Sequence, residues 1–359
     1  MNILVIGNGF DLAHQLPTKY SDFLVFIQAL QRYKAGTEEK DSKYYHFFFS
    51  LSHKKQAVFQ EICSLSNNNT WLQHFLQIYE KRLKSGKDGW IDFESEISTI
   101  IQAFDSERLR LQHHLPSTQR LTNTSQLINA IYELEFTPEN YNKHKARLYD
   151  DLNKLIRCLE IYLDQYVVTD NCIPLKDISE CNIDHVLSFN YTDTYRKIYD
   201  KDSKIQYDFI HGKADLAHSV DSCNMVLGID EYLIGDKRNC DNEFIQFKKF
   251  YQRIYKGTGC LYTDWLKHRR DCNSRMPKLP PMDLHIYFYG HSLDITDADI
   301  LSKLILEKGA ISTFFYHNKA ALGNHIANLV KIIGEEELIR RTDGSHRTIH
   351  FKQSSPDTV

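Results

Sequence analysis

The sequence predicts an α/β protein with a parallel sheet covered by helices on both faces. The chain opens with a short, almost wholly apolar run that a glycine ends, residues 2–6, which is typical of a buried parallel strand. Helical patterns at 297–308 and 320–339 alternate with short strand-like runs, and such alternation indicates a parallel sheet. The strand-like runs after the first are 185–189, 205–210, 224–229, 284–289, 313–316 and 348–351.

A long helical region follows the first strand. Apolar residues recur there at helical spacing in four segments, 71–83, 93–104, 127–134 and 148–163. The sequence therefore predicts one α/β domain, residues 1–19 and 181–352, interrupted after its first strand by a helical insertion at 20–180. We expect the tail, 353–359, to fray.

Composition excludes several classes of protein. With 42% hydrophobic and 25% charged residues, the chain is globular rather than disordered. A net charge of -3 gives no overall basic field for nucleic acid. None of the eight cysteines forms a C-x-x-C pair, so no structural zinc site is predicted. The apolar runs are too short for a membrane span or a signal peptide. We expect a cytoplasmic protein with reduced thiols and no membrane association.

The first strand ends in the loop Gly7-Asn8-Gly9-Phe10-Asp11. In an open parallel sheet, ligands bind at the carboxyl ends of the strands. Two glycines let the backbone turn tightly and approach a phosphate, which the next helix N-terminus can help to hold. A dinucleotide fingerprint has Gly or Ala where Leu12 stands, so an ordinary strand–helix turn remains the alternative.

Two more polar segments follow predicted strands. Asn190 can donate and accept hydrogen bonds at once, as recognition of an amide or a ribose requires. Alternatively, Asn190 and Asp193 cap the next helix. His211, with Gly212 behind it, stands at a strand end and suits a general base near neutral pH.

The fourth segment is Gly290-His291-Ser292-Leu293-Asp294. Its glycine ends a strand, and Ser292 and Asp294 can bind ligand hydroxyls or cap a helix. His291, Asp294 and Asp297 could also bind a metal, but a capped helix start accounts better for this pattern. We expect the four loops to share one cleft, because their strands are predicted to be adjacent and parallel.

Five segments in this order resemble the bacterial abortive-infection AbiH family, named for protection against phage. The similarity runs over most of the chain and implies an antiphage effector. The segments are Gly7 to His14 with its continuation Leu16 to Phe23, then Trp90 to Glu94, Phe189 to Thr192, His211-Gly212, and Gly290 to Asp294.

At longer range the same order resembles sirtuin-like NAD-consuming domains. Their Gly-Ala-Gly loop, Thr-x-Asn segment, His-Gly and late Gly-x-Ser are matched by Gly7/Gly9, Asn190, His211 and Gly290/Ser292. The sirtuin pattern has an Asp two residues after the Asn, where Thr192 stands here. The zinc-binding Cys pairs are absent, which argues against protein deacetylation. This resemblance implies a Rossmann-like, sirtuin-like sheet with NAD as ligand.

The two resemblances together give the leading hypothesis, hydrolysis of NAD+ at the nicotinamide–ribose bond, with NAD+ as substrate and no metal. Asn190 would position the ribose or the attacking water, and His211 would act as base. The loop 7–11 would hold the diphosphate, and Ser292 and Asp294 would contact the adenosine. The full predicted binding set is Gly7, Asn8, Gly9, Phe10, Asp11, Asp193, Gly290, His291, Ser292 and Asp294.

Two other functions stay open. A nuclease or other nucleotide-processing effector would use Asp11, His211, His291 and Asp294 around a divalent metal. A non-catalytic sensor would bind a nucleotide without turnover. A phage component, a cognate antitoxin and a second copy of the chain stay open as partners.

The segment Trp90 to Glu94 has no assigned chemistry. We expect Trp90 to pack between the helical insertion and the sheet, with Asp92 or Glu94 reaching the cleft or a neighbouring loop. The alternative is that Trp90 opens an ordinary helix and both acids face water.

Overall fold

The computed structural model describes residues 1–86, 89–112, 138–235, 237–275 and 280–355. The predicted helical segment 127–134 lies outside these residues. The chain divides into two compact units. The first unit comprises Met1–Thr18, Val167–Lys213 and Gly257–Val359, and the second comprises Lys19–Tyr166 and Ala214–Lys256.

The first unit contains a six-stranded sheet whose strand pairs are all parallel. The predicted α/β class with a parallel sheet is therefore confirmed. The strand order is β3-β2-β1-β4-β5-β6, so the direction of winding reverses at β1. The strands are β1 (Asn2–Ile6), β2 (His185–Ser188), β3 (Gln206–Phe209), β4 (Leu284–Tyr289), β5 (Ala310–Tyr316) and β6 (Ile349–Gln353).

Strand β1 is central because it is apolar on both faces. Ile3 and Val5 pack into the core on one face of the sheet, while Leu4 and Ile6 pack into the core on the other. In register, Ile3 lies opposite His185 of β2 and opposite Ile286 of β4. A continuous apolar run with both faces covered is what parallel sheets require.

The described helices extend over both units. Among the described residues, no helix is long and apolar enough to cross a membrane. In chain order the α-helices are α1 (Asn8–Ala13), α2 (Tyr20–Lys34), α3 (Lys43–Ser50), α4 (His53–Ser66), α5 (Thr70–Lys84), α6 (Phe93–Gln112), α7 (Pro138–Gln165), α8 (Lys176–Ser179), α9 (Thr194–Tyr199), α10 (Lys237–Cys240), α11 (Lys249–Lys256), α12 (Leu261–Arg275), α13 (Ala298–Ile305), α14 (Lys319–Ile333) and α15 (Glu335–Thr342). Short 3-10 helices lie at Ile245–Phe247 and Ile295–Asp297.

The prediction of a strand at 224–229 is wrong. Only an isolated bridge joins Ile229 to Lys248. The side chain of Gln252 takes the place of a neighbouring strand, since it accepts from the Leu227 amide and donates to the Leu227 carbonyl, both at 3.1 Å. Because the Gln252 side chain satisfies the buried amide and carbonyl of Leu227, these groups do not need hydrogen bonds from a neighbouring strand.

The predicted helix over 320–339 is two helices, α14 and α15. Gly334 separates them with a φ of 85°, a left-handed conformation that glycine adopts at helix ends. At the chain's end, Gln353 belongs to β6 and the Ser355 amide donates to Asp177 at 2.6 Å. Residues 356–359 of the predicted tail lie outside the described residues.

The second unit is a helical core that also includes residues 214–256. A buried ionic cluster on α7 holds this segment. Arg157 donates to Glu160 at 2.6 Å, and the other Glu160 oxygen lies 2.5 Å from Nδ1 of His218 and accepts from the Asp215 amide at 3.3 Å. Since Arg157 and Glu160 are almost fully buried, their charges have to be paired with each other and with 215–218.

The predicted packing of Trp90 against the sheet is wrong, because its side chain is 58% exposed. The buried side chains of this segment are those of Ile91 and Phe93. Trp90 therefore points toward solvent. Asp92 accepts hydrogen bonds from the Glu94 and Ser95 amides and so caps the start of α6. The alternative in which both acids face water also fails in part, since Glu94 pairs with Lys249 at 2.6 Å within the second unit.

Candidate active site

The carboxyl ends of β3, β2, β1 and β4 lie side by side at one edge of the sheet. The prediction that these four strands are adjacent and parallel is confirmed. The segments that follow them carry every residue of the predicted site. The predicted loop 7–11 is mostly helix, because Gly7 is the N-cap of α1 and Asn8 to Asp11 lie inside that helix, while the other predicted residues lie in loops. All of these residues belong to the first unit.

The loops after β1 and β4 are in direct backbone contact. The Gly9 amide donates to the Gly290 carbonyl at 2.8 Å, and the Gly7 amide donates to the Tyr289 carbonyl at 3.3 Å. A Cβ on Gly9 would lie 2.7 Å from Gly290 Cα, and a Cβ on Gly290 would lie 2.1 Å from the Phe10 nitrogen. Packing of the two loops therefore requires these glycines, whether or not a phosphate binds there.

Asn190 joins the loop after β2 to the loop after β1. Its Nδ2 donates to the Gly7 carbonyl at 3.0 Å, and its amide donates to Oγ of Ser188 at 3.1 Å. Asn190 is not the cap of α9, because Asp193 holds that position and makes no side-chain cap bond. Asp193 lies instead within ion-pair distance of two cations, 3.5 Å from Arg196 and 3.7 Å from Lys213.

Asp11 is a deeply buried carboxyl group, 1% exposed. Thr192 donates to its Oδ2 at 2.5 Å, while Oδ1 has no hydrogen-bond partner among the described residues. Burial raises the pKa of Asp11 from 3.8 to about 6, against the lowering effects of the Thr192 hydrogen bond, of the neighbouring polar side chains of Thr194 and Asn190 and of the Lys197 charge.

His14, one turn after Phe10, is held by both ring nitrogens. Nδ1 lies 2.7 Å from the Phe10 carbonyl and Nε2 lies 2.8 Å from the hydroxyl of Tyr199. A carbonyl can only accept, so Nδ1 carries the proton and Nε2 accepts from Tyr199. The same hydroxyl accepts from the Leu175 amide at 2.7 Å. His14 therefore fixes the end of α1.

His211 and His291 approach the same carboxylate. Nε2 of His211 lies 3.3 Å from Oδ1 of Asp297, and Nε2 of His291 lies 3.6 Å from Oδ2. The ring of Phe189 packs edge-on against both imidazoles, with centroids 5.6 Å and 4.3 Å away. Both histidines are buried, His211 being 5% exposed. Its Nδ1 has no hydrogen-bond partner among the described residues.

The loop after β4 has an unusual backbone around His291. The Leu293 amide donates to Nδ1 of His291 at 2.9 Å. Leu293 is buried with a φ of 56°, a left-handed conformation that is costly for a bulky residue. Gly290, with a φ of 66°, starts the same turn. The backbone is thus bent to hold the imidazole at the edge of the sheet.

Three predicted residues are exposed at this edge, namely Asn8, Ser292 and Asp294. Oδ1 of Asn8 accepts from Thr18 at 2.7 Å. Asp294 accepts from the Thr296 amide at 3.0 Å and so caps the 3-10 helix Ile295–Asp297. The capping alternative is confirmed for Asp294.

The predicted residues thus form two clusters. Gly7, Gly9, Asn190 and Gly290 form one with Phe10 and Asp11, while His211 and His291 form the other around a carboxylate. Asp297, which lies within ion-pair distance of both histidines, stands in a sequence pattern that suggests a metal ligand or a capped helix start but not this contact. Within the described residues, no group of three or more His, Cys, Asp or Glu side chains could hold a metal ion. Asp11, His211, His291 and Asp294 are therefore not brought together as a group of this kind.

Comparison with known proteins gives one result. Residues 3–317 match the model of a family described as "Bacteriophage abortive infection AbiH". The match includes all the loops described above. No curated protein and no solved structure matches the chain.

Proposed function

Because the chain belongs to the AbiH family, it has a function in phage abortive infection, and we propose that it acts there by hydrolysing NAD+ at the nicotinamide–ribose bond. The proposed substrate site is the edge formed by the carboxyl ends of β3, β2, β1 and β4. The reaction would deplete the NAD+ of an infected cell and stop phage replication with it.

The strand order supports a dinucleotide as ligand. The order 3-2-1-4-5-6 is the one found in doubly wound sheets that bind dinucleotides, at the point where the winding reverses. Here the winding reverses at β1, so the loops 7–11 and 290–294 flank that point. We assign the diphosphate to the loop 7–11 and the adenosine to the exposed Ser292 and Asp294.

One observation carries the catalytic assignment: the buried Nδ1 of His211 has no hydrogen-bond partner in the part of the chain that the structure describes. Leaving a buried polar atom unpaired costs about 1–3 kcal/mol, which a ligand that supplies the missing partner would recover. A lone pair held in this way suits a general base that meets its proton only when substrate is bound.

The proposed reaction breaks the C1′–N bond of the nicotinamide ribose. The bonding electron pair moves to the pyridinium nitrogen, so nicotinamide leaves as a neutral molecule and positive charge develops on the ribose. Water adds to C1′ and gives its proton to Nδ1 of His211. The products are nicotinamide and ADP-ribose, and the proton is then released. A base of this kind contributes about 10²–10⁴ to the rate.

Asn190 has a positioning role in this scheme. Its side-chain amide holds the Gly7 carbonyl and so fixes the loop assigned to the diphosphate. Phe189 precedes it in the same loop and contacts His211. Asn190 can therefore align the diphosphate loop with the proposed base.

The test is to incubate the purified protein with NAD+, RNA and DNA, with and without Mg²⁺, and to follow each substrate. We expect consumption of NAD+ by the wild type and loss of this activity in His211→Gln. His346→Gln, at an exposed histidine of the same unit, is the matched control and should keep full activity.

The other outcomes identify the alternatives. If NAD+ stays level while RNA or DNA is degraded, the hydrolase proposal is wrong and a nuclease takes its place. If nucleotide binds and nothing is consumed, the protein is a sensor. Cellular NAD+ measured after infection, in wild type and His211→Gln, gives the same decision in vivo.

A further inference from the structure

Asp297 occupies the N-cap position of α13 but makes no side-chain cap bond. An Asp at this position usually accepts from the backbone amides of the first turn. The Asp297 side chain is only 10% exposed, and a buried carboxylate is costly unless other groups compensate its charge. The two imidazoles that it faces are such groups, so its orientation is explained by His211 and His291 rather than by the helix.

The orientation of His291 follows from its backbone contact. Nδ1 accepts from the Leu293 amide, so in the neutral ring the proton is on Nε2. Nε2 is the atom that faces Asp297, at 3.6 Å. His291 thus directs a partial positive charge at one oxygen of the carboxylate.

His211 faces the other oxygen of Asp297 through its Nε2, at 3.3 Å. A carboxylate favours the tautomer that points its N–H toward the negative charge. With the proton on Nε2, the lone pair is on Nδ1, the buried atom for which the described ranges supply no hydrogen-bond partner. The arrangement therefore selects which nitrogen of His211 is basic.

We propose that Asp297 is a positioning residue, which sets the tautomer of His211 so that Nδ1 is the base and which stabilises the imidazolium formed when Nδ1 takes a proton. The identity of the reaction rests on the proposed function. The tautomer of His211 is independent of that function, since it is a property of the protein without substrate.

The test uses the full chain with ¹⁵N-labelled histidine, in wild type and Asp297→Asn. His211→Gln assigns the His211 resonances by difference among the 17 histidines. In the wild type we expect a protonated Nε2 and a bare Nδ1. The Asn side chain can donate to Nε2, so the variant should shift toward the tautomer with the proton on Nδ1. Asp299→Asn, at an exposed carboxylate two residues away, is the matched control.

NAD+ turnover is measured on the same samples, with thermal unfolding as the check on folding. We expect Asp297→Asn to lose about 10²–10⁴ in turnover, while Asp299→Asn keeps wild-type turnover. An unchanged His211 tautomer in folded Asp297→Asn would overturn the proposal, even if NAD+ hydrolysis is confirmed. If the wild type does not consume NAD+ but the tautomer shifts as expected, the hydrolase proposal fails and the role of Asp297 stands.

Discussion

Gly9 and Gly290 meet through their backbones, with the Gly9 amide donating to the Gly290 carbonyl at 2.8 Å. The contact joins the loops that follow two neighbouring strands, β1 and β4. A side chain on either glycine would overlap the other loop. The glycine pattern at the start of the chain is therefore a packing requirement of the sheet edge.

We expect Gly9→Ala to lower the free energy of unfolding by about 1–3 kcal/mol, as for overpacked cores. Gly323→Ala is the control, because a Cβ there would meet nothing within 4 Å in the middle of α14. That change should stabilise the protein by about 0.4–1 kcal/mol. Urea unfolding of both variants measures the effect. Gly9→Ala with wild-type stability would contradict the loop contact and leave a ligand as the reason for the glycine.

Asp11 should make the stability fall with rising pH. Its folded pKa of about 6 lies above the ordinary value of 3.8, so between these values the folded state binds more protons than the unfolded state. The free energy of unfolding therefore decreases from about pH 4 to pH 6, by up to about 3 kcal/mol. Asp11→Asn removes this contribution. Urea unfolding from pH 4 to 8 should show the variant gaining stability relative to wild type across this range, and parallel curves would contradict the shift.

The tryptophans of the second unit should differ in their effect on stability. Trp71 is fully buried and its Nε1 donates to the Leu148 carbonyl at 2.7 Å. We expect Trp71→Ala to cost about 3–5 kcal/mol. Trp90 is mostly exposed, so Trp90→Ala should change stability by less than about 0.5 kcal/mol. Chemical denaturation compares the two, and a large loss in Trp90→Ala would mean that the indole is covered.

Substitutions at Asn190 and at His211 should differ in how much they lower stability relative to activity. Asn190→Ala removes a buried hydrogen bond to Gly7 and should cost about 1–3 kcal/mol, together with phage protection. His211→Gln keeps a polar side chain and should lose protection with a smaller change in melting temperature. Plaque assays and thermal melts on the same variants decide this. Wild-type protection by His211→Gln would exclude His211 as the base.

The strands of the site could be predicted because their signal is local. Apolar runs ended by Gly7, Asn190, His211 and Gly290 correspond to β1, β2, β3 and β4, and parallel pairing then places their ends together. The segment 224–229 has the same apolar pattern but is not a strand, since Gln252 satisfies its backbone. Gln252 lies 25 residues from Leu227. A contact of this kind between a side chain and a distant backbone produces no periodic pattern from which it could be predicted.

The role of Asp297 could not be predicted for a related reason. An Asp after Asp294-Ile295-Thr296 suits a helix cap, and the sequence offers no sign that its carboxylate turns away from the helix. Only the fold brings it to His211, which precedes it by more than 80 residues. Its contact with His291 also depends on the left-handed backbone of Leu293, a conformation that leucine rarely adopts.

The central position of β1 has a consequence for the order in which the protein can fold. The Asn2 amide bonds to Asp184, 182 residues away, and the terminal amine bonds to the Asp283 carbonyl, 282 residues away. At about 5–20 residues per second, a ribosome that has made β1 needs tens of seconds to produce its second partner. Until its two partners are made, β1 (Asn2–Ile6) has unpaired edges, the kind of surface that invites aggregation. We therefore expect β1 to wait for both of its partners while it is exposed, and chaperones that bind short apolar segments to bind it during that interval.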